Sequence, residues 1–491
     1  MSRDLAHRIL GIPEQLLFPA SKTLVVLEQL VLGALAAALV CVAGPGTAVV
    51  LVLALILGLC LVWAPSRLAV GLFVAFMVTS QEYRSLTTFH LGGIVWHPRE
   101  LVLIALLAHW AAQLVRGKVR IAADPTHLAV LVYALFFVQI GLVGLLLEPD
   151  LHRVVAECRY PLFIASYVVL VSLIRDRKEL SFYVALVFWA TVVVAGLSIA
   201  FFAYTLLART TINTQNAWGA FVPRQFGPMI IQSVRPRGHM FYEVCITALA
   251  SLLFCPGLSK KRRLFYLAMM GMLSFALLIM FMRTAYAALF VSLAALAFLA
   301  LPRRAQFVVA VLGIVLSVAF VAAFGPALYA KLHEVIPSVG ASIEGRIVEI
   351  AGSWRMFMAH PILGAGMGSG FKEFGAVAKT SQLAYAATEY RTVHNVWMYY
   401  LFKGGFVGFV LVACGLGGLV LRGYAAIPQL HDPKDRCLLR GLVAGLCGQL
   451  VASLAMPRLT YPVGHVFIAL MACAIVVFAT QRATPAAERT P

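Results

Sequence analysis

The chain has 491 residues, of which 62% are hydrophobic and only 12% charged, and its mean hydropathy is +0.92. Soluble domains carry roughly a quarter charged residues, so the composition excludes a soluble enzyme and leaves one polytopic membrane body. The 39 Lys and Arg against 20 Asp and Glu give a formal charge of +19, whose meaning depends on where those charges fall across the membrane.

Apolar runs predict spans over residues 24–43, 47–63, 68–79, 101–115, 128–147, 161–174 and 180–204 in the first half. The second half adds 240–255, 264–282, 284–301, 307–324, 396–421, 441–456 and 466–480. Several runs are short, so the expectation is an all-α polytopic membrane protein of about 12–14 transmembrane helices.

The first run is preceded by Arg3, Arg8 and Lys22, but it leads straight into a second span without a small-residue cleavage site. It reads as an anchor with a cytoplasmic N-terminus, not as a signal peptide. Alternation from there puts Arg116/Lys118/Arg120, Arg175/Arg177/Lys178, Lys260/Lys261/Arg262/Arg263, Arg303/Arg304 and Arg436/Arg440 inside, as the positive-inside rule demands. The outer face is then left with thirteen Arg and four Lys. Arg presents a planar fork that grips phosphate bidentately, so an Arg-rich outer face points to an anionic substrate handled there.

Two long segments fall outside: residues 205–239 and residues 325–395, the latter about 70 residues between two spans. Within the second, Ile347, Ile350, Ala351, Trp354 and Met358 recur at helical spacing, which predicts an amphipathic helix over 343–360 on the membrane surface. The cysteines fall mainly in apolar runs, with Cys158 alone in a clear outside loop, so no disulfide framework is read. The last residues, 481–491, read as a polar tail.

The chemistry follows from what the outer face holds. Of six Asp, only Asp150 lies outside, so an Asp-x-Asp metal site is not available and positive side chains must neutralise any phosphate. The best catalytic candidate is His394, which closes the segment Thr388-Glu389-Tyr390-Arg391-Thr392-Val393-His394-Asn395 at the outer interface. An imidazole titrates near neutrality and can take a proton from a hydroxyl. Glu389 is the candidate to orient it, with Arg391 beside it. Arg235 and Arg237, in Arg235-Pro236-Arg237-Gly238-His239, close the other outside segment, and Arg283 lies between two spans at the same depth.

Three further features weigh less. Residues 364–370, Gly-Ala-Gly-Met-Gly-Ser-Gly, match neither the dinucleotide nor the Walker pattern and read as a structural turn. Glu28, Glu243 and Lys403 lie in apolar runs, where ionisable groups are functional suspects. Lys403 follows His394 by nine residues, about 180° around a helix, so it need not join the same site.

The Arg235-x-Arg237-Gly238 element, Arg283 after an apolar run, Pro361-Ile362-Leu363-Gly364-Ala365-Gly366, and His394-Asn395 before Gly404-Gly405-x-x-Gly408 together resemble the O-antigen ligase and O-antigen polymerase superfamily of bacterial envelope glycosyltransferases. The resemblance divides the chain into an N-terminal transmembrane helix array (1–233), a ligase-like region (234–422) with a periplasmic loop (325–395), and a C-terminal transmembrane hairpin and tail (423–491). It implies a multi-pass protein of the bacterial inner membrane with a periplasmic active site and no cofactor. The activity implied is metal-independent, inverting transfer of a glycan from undecaprenyl diphosphate to an acceptor hydroxyl, lipid A-core being the expected acceptor in lipopolysaccharide or surface polysaccharide biosynthesis. His394 would be the base, and Arg283, Arg235 and Arg237 the diphosphate ligands.

The alternatives are a polysaccharide repeat-unit polymerase of the same superfamily, which extends a growing polysaccharide, and a lipid-linked sugar transporter or flippase. Transport calls for charges at mid-membrane depth lining a cavity, whereas here Arg and His gather at one interface. A shape-determining peptidoglycan polymerase would want an acidic catalytic residue in the long loop, which holds no Asp, only Glu334, Glu344, Glu349, Glu373 and Glu389.

Overall fold

The computed structural model describes residues 65–79, 89–91, 94–119, 121, 123–208, 214–216, 219–226, 229–302, 304–306, 308–309, 337–372, 389–390 and 393–480. The first half of the array is α1 (Ser66–Thr79), the hairpin β1 (Phe89–Leu91) and β2 (Ile94–Trp96), α2 (Pro98–Val115), α3 (Thr126–Leu147), α4 (Leu151–Cys158), a 3-10 turn Pro161–Ala165, α5 (Ser166–Leu173) and α6 (Arg177–Leu207). Then come β3 (Thr214–Asn216), β4 (Gly219–Phe226), β5 (Met229–Arg235), α7 (Met240–Leu253), α8 (Lys260–Leu278) and α9 (Arg283–Ala300). The chain continues with α10 (Pro337–Ala359), β6 (Phe371–Lys372), β7 (Glu389–Tyr390), α11 (Val396–Ala426), α12 (Pro433–Ala452) and α13 (Pro462–Thr480).

Among the described residues, seven helical stretches are long and apolar enough to cross a membrane by length and composition, which makes this an all-α polytopic membrane protein. Eleven of the expected spans appear as helices. The runs 24–43 and 47–63 lie outside the described residues, and of 307–324 only 308–309 are described. Apolar runs mark the lipid-buried part of a helix, not its hydrogen-bonded ends, so several helices outrun them. α12 starts at Pro433, eight residues before its run, because Asp432 accepts from the Lys434 amide and Pro433 suits the first helical position. α8 likewise takes in its four basic residues behind the cap Ser259.

α13 is the axle. Its side chains are buried almost throughout, which is why its sequence is apolar on every face, and it contacts α5, α11 and α12. α3, in contrast, buries Tyr133, Phe136, Phe137 and Ile140 and leaves Leu128, Leu131, Leu135, Leu142 and Leu145 exposed, an apolar stripe that only lipid solvates well. α12 is wedged between α7 and α9. A Cβ at Gly441 would stand 2.7 Å from the Ala248 Cα, and one at Gly448 would stand 2.6 Å from the Ala288 carbonyl oxygen. These small residues let the three backbones approach closely.

α11 is broken at Gly405, whose φ of 61° is left-handed. The break is filled by the chain after α10. The amides of Ala365 and Gly366 donate to the Phe402 and Lys403 carbonyls at 2.8 and 2.9 Å, Phe406 and Val407 donate to the Pro361 and Ile362 carbonyls, and Gln139 bonds the carbonyls of Leu363 and Gly404. Irregular backbone within a membrane bundle persists only when its polar groups are met by protein, and here they are. The Gly-rich 364–370 turn is thereby structural: the Gly364 amide donates to the His360 carbonyl, those of Ala365 and Gly366 to α11 and that of Met367 to the Ile140 carbonyl of α3.

Ion pairs fix the two ends of the bundle. At one end Arg422 donates to Asp124 at 2.8 Å and Arg177 pairs with Asp432 and Asp435. At the other lie Arg159 with Glu100, Lys403 with Glu157, Arg458 with Glu243 and His394 with Glu349. Of the candidate residues within the described segments, His394, Arg235, Arg237 and Arg283 belong to segments at this second end.

Candidate functional site

The site grows from three helix starts and one helix flank. Asn395 caps α11, its side-chain oxygen accepting from the amides of Trp397 and Met398 at 3.0 and 3.1 Å. The cap fixes the chain direction one residue earlier, at His394, whose side chain is 49% exposed. The expected helix of the long loop is α10, and its apolar stripe, Ile347, Ile350, Trp354 and Met358, faces outward. Its opposite face carries buried Glu349 and Ser353 into the protein.

Glu349 is the partner of His394. Its Oε1 and Oε2 lie 2.7 and 2.9 Å from the imidazole Nδ1, and Oε2 also accepts the His394 backbone amide at 3.0 Å. An ionised carboxylate only accepts, so Nδ1 is the donor in this pair, and in the neutral imidazole Nε2 is left with the lone pair. The carboxylate is thus supplied from 45 residues upstream. Glu389, the candidate from the sequence, lies in β7 with its backbone paired to Lys372, and neither its side chain nor Arg391 is among the described groups.

The residues 205–239, read from the sequence as a long outside segment, end in an antiparallel sheet ordered β3-β4-β5. Its last strand runs against the turn between α8 and α9. The Val234 amide donates to the Ile279 carbonyl, the Ser233 hydroxyl to the Met280 carbonyl at 2.7 Å, and Arg235 Nε to Ser233 Oγ at 3.0 Å and the Met280 carbonyl at 3.3 Å. One edge of the Arg235 guanidinium is thereby fixed three residues before Arg283. In the same turn Phe281 has a φ of 48°, a strained conformation for a bulky residue, and Arg283 follows as the exposed first residue of α9. Arg237 opens a 3-10 turn with Gly238 and His239; its side chain lies outside the described groups. Gly238 presses on α1 so closely that a Cβ would stand 2.2 Å from the Val78 carbonyl oxygen, which explains glycine after this arginine.

A cation at the N-terminus of a helix opposes the helix dipole, so the dipole does not account for Arg283 at this position. With an anion present the sign reverses, since guanidinium and first-turn amides then act together.

What joins the histidine to the arginines is the turn after α12. The Val396 amide donates to the Ser453 carbonyl at 2.9 Å, Arg346 Nη1 of α10 to the Ala455 carbonyl at 2.8 Å, and the Thr284 hydroxyl to Met456 Sδ at 2.8 Å. Residues 453 to 456 span at most about 11 Å from Cα to Cα at 3.8 Å per step. His394, two residues before Val396, and Arg283, one before Thr284, therefore hang from one short turn, together with the helix that carries Glu349. Burial lowers the pKa of Arg346, an effect the nearby Glu349 charge opposes.

Lys403 does not join this group. It is fully buried and held by Glu157 at 2.8 and 3.1 Å and by the Ser369 carbonyl at 2.6 Å, while Glu157 also accepts the Gly368 amide. Its charge ties α4 and the Gly-rich turn to the broken helix. Glu243 is equally buried and pairs with Arg458, a residue not singled out from the sequence.

The fold and the segments gathered at one end define a multi-pass membrane protein with a carboxylate-oriented imidazole at the end that also carries Arg235 and Arg283. The sequence model of the O-antigen ligase family matches residues 265–413, from α8 through most of α11. The match spans Arg283, Glu349 and His394, and it bears out the resemblance to the O-antigen ligase and polymerase superfamily. The match supports a glycan-processing membrane protein of the O-antigen ligase and polymerase type. No curated protein matches the chain.

Proposed function

We propose that the chain is a glycosyltransferase of the inner membrane that moves a glycan from undecaprenyl diphosphate to an acceptor hydroxyl at the periplasmic face. The observation that carries this reading is the Glu349–His394 pair, half open to solvent at the end of the bundle that also holds Arg235 and Arg283.

In this mechanism His394 Nε2 takes the proton of the acceptor hydroxyl as its oxygen attacks the anomeric carbon. The bond to the diphosphate oxygen breaks, and undecaprenyl diphosphate leaves with the bonding electrons. Glu349 stabilises the imidazolium that forms, since both its oxygens already face Nδ1. Arg283, Arg235 and Arg237 meet the charge growing on the leaving phosphate, an interaction stronger in the transition state than in the ground state. Direct displacement inverts the anomeric centre. Lipid A-core is the expected acceptor, and a growing polysaccharide is the acceptor for a polymerase using the same chemistry.

The test is a deletion strain examined for both surface glycan and lipid-linked donor. Loss of surface glycan with donor stranded on the periplasmic leaflet supports transfer; donor stranded on the cytoplasmic leaflet means transport and overturns the proposal. On a lipopolysaccharide gel, bare core assigns ligation and core bearing single units assigns polymerisation.

A further inference from the structure

Arg458 and Glu243 form a buried ion pair that the mechanism does not use. Arg458 Nη1 lies 2.7 Å from Glu243 Oε2 and 2.9 Å from Gln449 Oε1, and the Gln449 amide in turn bonds Glu243 and the Met240 carbonyl. Arg458 is 5% exposed and Glu243 fully buried. Replacing a buried ion pair by an apolar pair of the same volume is often neutral or stabilising, so the burial of these two charges invites a reason other than stability.

Their location gives a reason. Arg458 ends the turn whose residues 453, 455 and 456 hold Val396, Arg346 and Thr284. Glu243 belongs to α7, which begins right after the Arg235–His239 element. Gln449 belongs to α12, whose end leads into the same turn. The pair thus ties the Arg235/Arg237 segment to the turn from which the histidine, its carboxylate and Arg283 all hang.

We infer that Arg458 is a positioning residue for the transfer reaction: through Glu243 and Gln449 it sets the spacing between the imidazole–carboxylate pair and the arginines. This rests on the proposed function only for its activity readout. The geometry it predicts can be measured without any glycan donor.

The variants are Arg458→Met and Glu243→Gln, alone and together. The double variant removes both charges, so no uncompensated buried charge remains to unfold the chain. The protein is reconstituted in lipid nanodiscs in a background with native cysteines replaced. Spin labels on exposed Leu278 and Ile350, outside the site, report the spacing of the α8–α9 turn from α10. Undecaprenyl diphosphate itself is the binding probe.

We expect the double variant to keep a melting temperature close to that of the parent while its label–label distance distribution broadens, undecaprenyl diphosphate binds about tenfold more weakly, and glycan transfer in cells falls on the order of 10²-fold, as for misplacement by about 1 Å. Reversing the pair, Glu243→Arg with Arg458→Glu, should restore part of all three. An unchanged distance distribution with unchanged binding overturns the inference, whatever the activity. Failure of the proposed function is separate: His394→Ala would then transfer normally while the Arg458 variants still broadened the distances.

Discussion

Glu349 turns both carboxylate oxygens toward the Nδ1 of His394 and also accepts that residue's backbone amide, so side chain and main chain of the histidine are fixed by one group on another helix. Such an arrangement selects one tautomer and one ring orientation, which is what a general base requires. Glu349→Gln should keep the volume but present a donor to Nδ1, moving the proton to Nε2 and lowering the transfer rate about 10²- to 10⁴-fold. Glu349→Asp should be intermediate. Transfer rates in membranes at matched protein level check this; a near-normal rate for the glutamine variant would leave His394 without its proposed orienting partner.

Arg283 stands exposed at the start of α9. Arg283→Lys keeps the charge and loses the fork, at the cost of one charge-assisted hydrogen bond of about 1.5–3 kcal/mol, or about 10- to 160-fold in transfer. Binding of undecaprenyl diphosphate should weaken in parallel. Full activity of the lysine variant would reduce Arg283 to a headgroup anchor.

The break in α11 should be intolerant of side chains. At Gly405 a Cβ would stand 2.4 Å from the Ile362 carbonyl oxygen, and φ is left-handed. Gly405→Ala is expected to destabilise by at least about 1–3 kcal/mol from backbone strain alone and to lower the melting temperature in detergent. Gly417→Ala, twelve residues on in regular helix with open space at its Cβ, should be neutral or slightly stabilising.

The far end of the bundle predicts a pH response. Burial raises the Asp124 pKa, but hydrogen bonds from Arg422 and Thr126 outweigh it and hold the carboxyl below the usual carboxylate range. A depressed folded pKa contributes stability that is fully present above the unfolded value and is lost as pH falls through the folded one. Melting temperatures taken at falling pH should therefore drop more for the parent than for Asp124→Asn below about pH 4, the unfolded carboxyl value. At neutral pH the variant should melt lower than the parent.

Much of the architecture was legible in the apolar runs because membrane helices must satisfy their own backbone and show their length in the sequence. Helix ends were less legible, as at Pro433, since caps and polar turns extend beyond the apolar stretch. His394 and Arg283 could be named because polar residues at span ends stand out. Glu349 could not be assigned to His394: five Glu share the loop, and only the fold of α10 selects one. A weak signal existed in its phase, because Glu349 and Ser353 fall opposite the apolar stripe Ile347, Ile350, Trp354 and Met358. Arg458 was invisible for a different reason. Its partners Glu243 and Gln449 lie on separate helices, and their meeting depends on α12 packing between α7 and α9.

The most direct measurement of the central claim is glycan transfer by His394→Ala expressed at parental level in a deletion strain, read as surface glycan together with lipid-linked donor. The account predicts no surface glycan above the deletion background, with donor accumulating on the periplasmic leaflet. Surface glycan restored to the parental level would contradict it.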